Sequence, residues 1–259
     1  MRILVAEDDR SSRLLLTAML DGLGCQVDLA ENGREAVEAV RLMRYDLVMM
    51  DLHMPGLGGA EAASAIRALS GRRAAIPIVV LTGDPFEDTV ERCLAAGVNE
   101  VIAKPIAEAK LQAVIAKWTK AGLARVGSSR QDDQPRSHGR ELAARLGATV
   151  FQEIAAHFLE DAPRYLAELE RAAASAAMDD VAFHAHRLAG AAKTFGLGEL
   201  AERGRTILDA CHDRADAKAR DLVAGTRGIL DHALAQLSEE CRDIQAPAVG
   251  ARGKGGSPQ

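Results

Sequence analysis

The first 121 residues alternate short apolar runs with amphipathic stretches. Residues 3–6, 26–30, 47–50, 78–81 and 101–103 read as strands. Two of them, Leu47-Val48-Met49-Met50 and Ile78-Val79-Val80-Leu81, are apolar without a break. That is the pattern of strands covered on both faces of a parallel sheet. Helical periodicity falls between them, near 10–22, 33–43, 59–69, 86–96 and 107–120. The alternation predicts a doubly wound, five-stranded parallel sheet with five helices.

The pattern then changes. Residues 122–139 have no apolar period and are rich in small, polar and turn-forming residues, which predicts a flexible linker. From 140 to 243 no strand pattern occurs. Helix formers dominate, with breaks near Gly147, Asp179-Asp180, Gly196-Leu197-Gly198 and 213–216. A bundle of four or five amphipathic helices is the simplest arrangement. Residues 244–259, with Gly253, Gly255, Gly256 and two prolines, read as a disordered tail. The class is therefore α/β plus all-α, in two domains.

Composition narrows the chemistry. With 37 acidic against 32 basic residues the net charge is −5, and aromatics are only 3%. A nucleic-acid partner is not expected. No apolar run nears the roughly 18 residues of a membrane span, and the N-terminal apolar stretch is too short for a signal peptide. The four cysteines are scattered, without a C-x-x-C pair, so neither a zinc site nor a disulfide framework is expected. A reducing, cytoplasmic setting is the expectation.

Open parallel sheets bind ligands beyond the carboxyl ends of their strands. Glu7, Asp8 and Asp9 follow strand one, Asp51 follows strand three, Thr82 strand four and Lys104 strand five. Clustered carboxylates call for a cation, and an all-oxygen set suits Mg²⁺. Lys104 adds a fixed positive charge. Such a pocket can hold a phosphoryl group in transfer, with one carboxylate as nucleophile. Asp51 is the candidate, because it stands apart from the acidic run and faces Thr82 and Lys104. Asp9 is equally suited to cap the helix that follows it.

These residues resemble the receiver domain of two-component response regulators over residues 2–120. The match is carried by Glu7-Asp8-Asp9 with Arg13, Asp51 before Met54-Pro55-Gly56, Thr82-Gly83 and Lys104-Pro105. The resemblance implies Asp51 as phospho-acceptor. It implies Glu7, Asp8 and Asp51 as Mg²⁺ ligands, with the main-chain carbonyl of His53 completing the set. It further implies that Thr82 bonds a phosphoryl oxygen, that Lys104 pairs with it, and that Lys104–Pro105 is cis. The family's aromatic residue three positions before the lysine is Val101 here, so no large aromatic rearrangement is expected.

In the helical half, residues 181–196 read as one helix, with Asp179 or Asp180 as its cap and Gly196 as its end. Val181, Leu188, Ala192 and Phe195 form its apolar stripe, and His184 falls on that stripe as a packed or rim residue. His186 lies roughly 200° away, on the face of Ala189, Gly190 and Lys193. That face is expected to be exposed and easily approached, with Lys193 favouring an anionic group. The stretch resembles the histidine phosphotransfer (HPt) family through His186, Leu188, Gly190 and Gly196. The run Phe158-Leu159-Glu160-Asp161-Ala162-Pro163 is similar to that family's first long helix. The resemblance covers about 140–240 and implies a four-helix bundle phosphorylated on His186. Ala189 stands where the family has lysine, and Lys193 lies one turn further along.

The expected function is a phosphorelay. Asp51 would accept phosphate from a sensor histidine kinase, a hybrid kinase or another phosphohistidine, and His186 would exchange it with a receiver. Other receiver or HPt proteins are the remaining expected partners. No ATP motif is present, since Gly56-Leu57-Gly58-Gly59 lacks the lysine and hydroxyl of a P-loop. The chain is therefore expected to be a phosphotransfer module, an enzyme only toward its own aspartyl phosphate. One alternative is a phosphorylation-gated adaptor whose helical domain docks without relaying. Another is a metal-dependent phosphatase using the acidic cluster.

Overall fold

The computed structural model describes residues 1–83, 87–119 and 138–245. The linker expected over 122–139 lies outside these residues except for its last two. The tail expected over 244–259 lies outside them except for its first two.

Strands β1 (Arg2–Ala6), β2 (Gln26–Ala30), β3 (Leu47–Asp51), β4 (Ile78–Thr82) and β5 (Glu100–Ala103) pair in parallel in the order β2-β1-β3-β4-β5. Helices α1 (Arg10–Gly22), α2 (Gly33–Leu42), α3 (Gly59–Arg67), α4 (Glu87–Ala95) and α5 (Glu108–Trp118) cover both faces. Ile3, Val5, Leu47, Met49, Val79 and Leu81 pack with α1 and α5. Leu4, Ala6, Val48, Met50, Ile78 and Val80 pack with α2, α3 and Cys93 of α4. Positions 47–50 of β3 and 78–81 of β4 thus all lie in a core, which is why both read as unbroken apolar runs.

The strand order reverses between β1 and β3, and Ala6 lies opposite Met50. Glu7 and Asp51, the next residue on each strand, therefore emerge side by side at the crevice. Thr82 pairs with Ala103, which brings Lys104 to the same rim.

The second half holds α6 (His138–Leu146), α7 (Ala148–Ala174), α8 (Met178–Thr194), α9 (Gly198–His212), α10 (Asp216–Ala224) and α11 (Thr226–Gln245). The four long helices, α7, α8, α9 and α11, share one core around Phe151, Phe158, Tyr165, Leu188, Phe195 and Leu237. Pro163 lies inside α7, and the helix runs on past it.

Three boundaries differ from expectation. Helix α6 begins at His138, inside the expected linker, because Gly139 is buried with the Glu240 carboxylate of α11 over it. The break before α8 falls at 175–177, where Ala176 takes a positive φ of 55°. Asp179 and Asp180 sit inside the first turn, where the helix dipole favours carboxylates. A further break at Gly225 separates α10 from α11. There the Thr226 hydroxyl donates to the Leu222 carbonyl at 2.8 Å, and Arg203 Nη1 donates to the same oxygen at 3.0 Å.

The halves touch along α1 and α7. Ser11 donates through Oγ to the Ile154 carbonyl at 3.2 Å, and Leu14 and Leu15 pack on the helical core. Leu146 contacts both the helical core and the core beneath α1 and α5. Helix α1 is therefore apolar on two sides, one for each domain. Among the described residues, no helix is long and apolar enough to cross a membrane.

Candidate functional site

The pocket is assembled from strand ends. Asp51 closes β3 and is buried, and Glu7 follows β1 with only 2% exposure. The main-chain N–H of Lys104 donates to the Thr82 carbonyl at 2.7 Å, and the Lys104–Pro105 bond is cis, as expected. Lys104 Nζ lies 2.6 Å from Glu7 Oε2 and 3.1 Å from Asp51 Oδ2. Thr82 is fully buried at the end of β4.

Glu7, Asp8 and Asp51 each present one carboxylate oxygen, and these atoms lie within 4.8 Å of one another. Such crowding in a buried place is costly. Burial raises the Glu7 carboxyl well above its ordinary range, against the pull of Lys104. Burial likewise raises Asp8 to about 6, against the pull of Arg187. Asp51 Oδ1 is buried without a hydrogen-bond partner among the described residues. Three hard oxygen donors, with Asp8 Oδ2 also lacking a hydrogen bond, suit a divalent cation of the Mg²⁺ kind.

Asp9 points elsewhere. Its Oδ1 accepts the Ser12 N–H at 2.7 Å as the cap of α1, and its Oδ2 accepts the Tyr165 hydroxyl at 2.9 Å.

Gly59, at the start of α3, touches the pocket from behind. A Cβ there would stand 2.4 Å from the Asp51 carbonyl oxygen. Gly59→Ala is therefore expected to cost about 2 kcal/mol of stability through overpacking. Urea unfolding followed by circular dichroism measures it.

His186 lies midway along α8 and shares a face with Ala189, Gly190 and Lys193, as the spacing predicts. The expected exposure of that face is not found: His186 is only 8% exposed. The reason is the α/β half, which covers it. The His53 ring sits 4.3 Å from the His186 ring, centroid to centroid. A Cβ on Gly83 would stand 3.1 Å from His186 Cε1, so the missing side chain lets the imidazole approach. Lys193 Nζ donates to the Gly83 carbonyl at 3.4 Å. Burial chiefly, with His53 beside it, pushes the His186 pKa down to about 3, while the Asp51 charge pulls the other way. The ring is therefore neutral at pH 7 and keeps one nitrogen lone pair. His184 is half-buried with its Nδ1 3.4 Å from Glu168 Oε2, which fits a rim residue.

Two residues that sequence reasoning passed over join the site. Arg187 Nε is 3.0 Å from Asp8 Oδ2, and the guanidinium carbon is 4.3 Å from the centroid of the Tyr165 ring. The available signal was weak: an arginine beside His186, and one of two tyrosines in the chain.

The family description "Response regulator receiver domain" matches residues 3–116, and "Hpt domain" matches residues 153–243. The chain is similar to "Sensor histidine kinase GacS" of Pseudomonas protegens, 31% identical over 259 residues, covering 93% of this chain and 27% of GacS. It is similar to "Sensory/regulatory protein RpfC" of Xanthomonas campestris pv. campestris, 30% identical over 219 residues, covering 80% of this chain and 30% of RpfC. The chain thus spans less than a third of the length of these curated relatives. Among solved structures it is similar to the receiver domain of sensor histidine kinase PA1611 from Pseudomonas aeruginosa PAO1, determined with a magnesium ion in its active site cleft. There the identity is 36%, the coverage 46% of this chain and 98% of that one, and the TM-score 0.44. It is also similar to a co-crystal structure of Saccharomyces cerevisiae Ypd1, a histidine phosphotransfer signalling protein, with the receiver domain of Ssk1. That match has 29% identity, 46% and 89% coverage, and a TM-score of 0.43.

Proposed function

We propose, for a chain that belongs to the response regulator receiver family over residues 3–116 and to the Hpt family over residues 153–243, a phosphorelay role centred on Asp51 and His186. In this reading Asp51 takes a phosphoryl group from a phosphohistidine, and His186 exchanges phosphoryl groups with a receiver aspartate. Together the two domains make a phosphotransfer signalling module rather than a conventional metabolic enzyme. The observation that carries the reading is the meeting of the His186 face with the Asp51 pocket.

The chemistry follows from positioning and charge. As Asp51 attacks, its oxygen–phosphorus bond forms and the donor's nitrogen–phosphorus bond breaks, returning the electron pair to the donor imidazole. Lys104, already between Glu7 and Asp51, would pair with the incoming phosphoryl oxygens, and the Thr82 hydroxyl would donate to one of them. Glu7, Asp8, Asp51 and the main-chain carbonyl of His53 would hold Mg²⁺. When bound, that ion supplies positive charge to the phosphoryl oxygens. On α8, the neutral His186 imidazole offers a lone pair, and Lys193 adds positive charge on the same face. Ala189 and Gly190 leave that face low, and a Cβ on Gly190 would meet open space. The donors that fit are a sensor or hybrid kinase, and the acceptors other receiver or HPt proteins.

The test is mass spectrometry for acid-labile phosphate on His186 after incubation with a phosphorylated donor kinase, comparing the parent with His186→Gln. The parent is expected to carry the label and pass it on, and the variant to do neither. A variant that relays as well as the parent would establish instead an adaptor whose helical domain only docks.

A further inference from the structure

Arg187 is the one basic side chain of α8 that forms an ion pair with a carboxylate of the pocket. Its Nε is 3.0 Å from Asp8 Oδ2, and both side chains are nearly buried. Behind it, Nη1 is 3.3 Å from Glu168 Oε2 on α7. The Tyr165 ring lies 4.3 Å from the guanidinium carbon, and the Tyr165 hydroxyl donates to Asp9 Oδ2 at 2.9 Å. The arginine is therefore held by Glu168 and the Tyr165 ring, with its Nε at ion-pair distance from one carboxylate. That carboxylate also offers an oxygen to the Glu7–Asp8–Asp51 cluster.

We propose that Arg187 acts as a tethered cation for the acidic pocket of its own chain, competing with a divalent ion for Asp8, so that docking of the two domains and magnesium loading oppose one another. The proposal rests on the phosphorelay reading only in taking Asp8 as a cation ligand. A guanidinium and a divalent ion held by one buried carboxylate repel at short range, where little water screens them. Whichever is present therefore weakens the other, by the same factor in both directions. Arg187 is in this sense a positioning residue, since it holds the His186 face over Asp51 while the pocket lacks its ion. Magnesium loading would release that face toward a second protein.

The test uses the full chain and magnesium chloride as the probe. Isothermal titration of Arg187→Gln is expected to give a magnesium dissociation constant about tenfold smaller than the parent's. Arg187→Lys, which keeps the charge but loses the planar fork, should fall between them. A variant that had merely lost structure would bind magnesium more weakly, the opposite sign. Small-angle X-ray scattering should show the parent expanding in magnesium chloride but not in potassium chloride of equal ionic strength. Arg187→Gln should be expanded in both. An unchanged constant in Arg187→Gln, or a parent that stays compact at saturating magnesium, would overturn the proposal. Site-resolved phosphate on Asp51 and His186, measured on the same samples, reports on the relay separately. Its loss from the parent would sink the relay and leave the magnesium comparison standing.

Discussion

Asp51→Asn is expected to abolish phosphoryl uptake from a phosphohistidine donor, by about a thousandfold or more, and with it the labelling of His186 by that donor. An amide has no anionic oxygen with which to attack phosphorus. The neighbouring acids are poor substitutes. Glu7 is already engaged by Lys104 at 2.6 Å, and Asp8 by Arg187 at 3.0 Å. Asp51 pairs with Lys104 at 3.1 Å through Oδ2 and keeps Oδ1 buried without a hydrogen-bond partner among the described residues. The complementary variant, His186→Gln, should still take label on Asp51 and carry none at position 186. Site-resolved mass spectrometry of both variants orders the transfers. Label reaching His186 at the parent's rate in Asp51→Asn would show that phosphate enters the helical domain directly.

The pocket was legible in the sequence because a parallel sheet turns sequence position into spatial position. Glu7, Asp51, Thr82 and Lys104 all sit at or just past the carboxyl ends of strands whose apolar runs are unmistakable. Register then brings them together without any further choice. The His186 face was legible for a similar reason, since helical spacing alone aligns it with Ala189, Gly190 and Lys193. What covers that face was not legible. The contacts that make the dock join Asp9 to Tyr165, Ser11 to Ile154 and Gly83 to Lys193, each more than a hundred positions apart. No local period encodes such pairs. Arg187 illustrates the difficulty: next to a candidate histidine on a polar face, it reads as a solvated charge until Asp8 stands opposite. The break at 175–177 was hidden for another reason. It contains no glycine or proline, and Ala176 adopts its positive φ without a sequence marker.

Lys104→Met is expected to destabilise the metal-free chain by about 3–5 kcal/mol, the usual cost of removing one partner from a buried charge pair. Burial alone would lower the lysine's pKa, but Asp51 and Glu7 reverse that and hold it above the ordinary lysine range. A lysine raised in this way contributes its stability fully below about pH 10, so it stays charged across neutral pH. Any pH dependence of the deficit must then come from the acids it leaves behind. Glu7 is the nearer of the two, and its pKa is already raised by burial, with Lys104 pulling it down. Without Lys104 it rises further. The folded variant therefore binds more protons than the unfolded chain over a wider span of pH, and acidification stabilises it more than it does the parent. The deficit should be larger at pH 8 than at pH 5. Urea titrations of both proteins in chelator, at the two pH values, measure it. Equal deficits would mean that the ionisation of neither acid depends on Lys104.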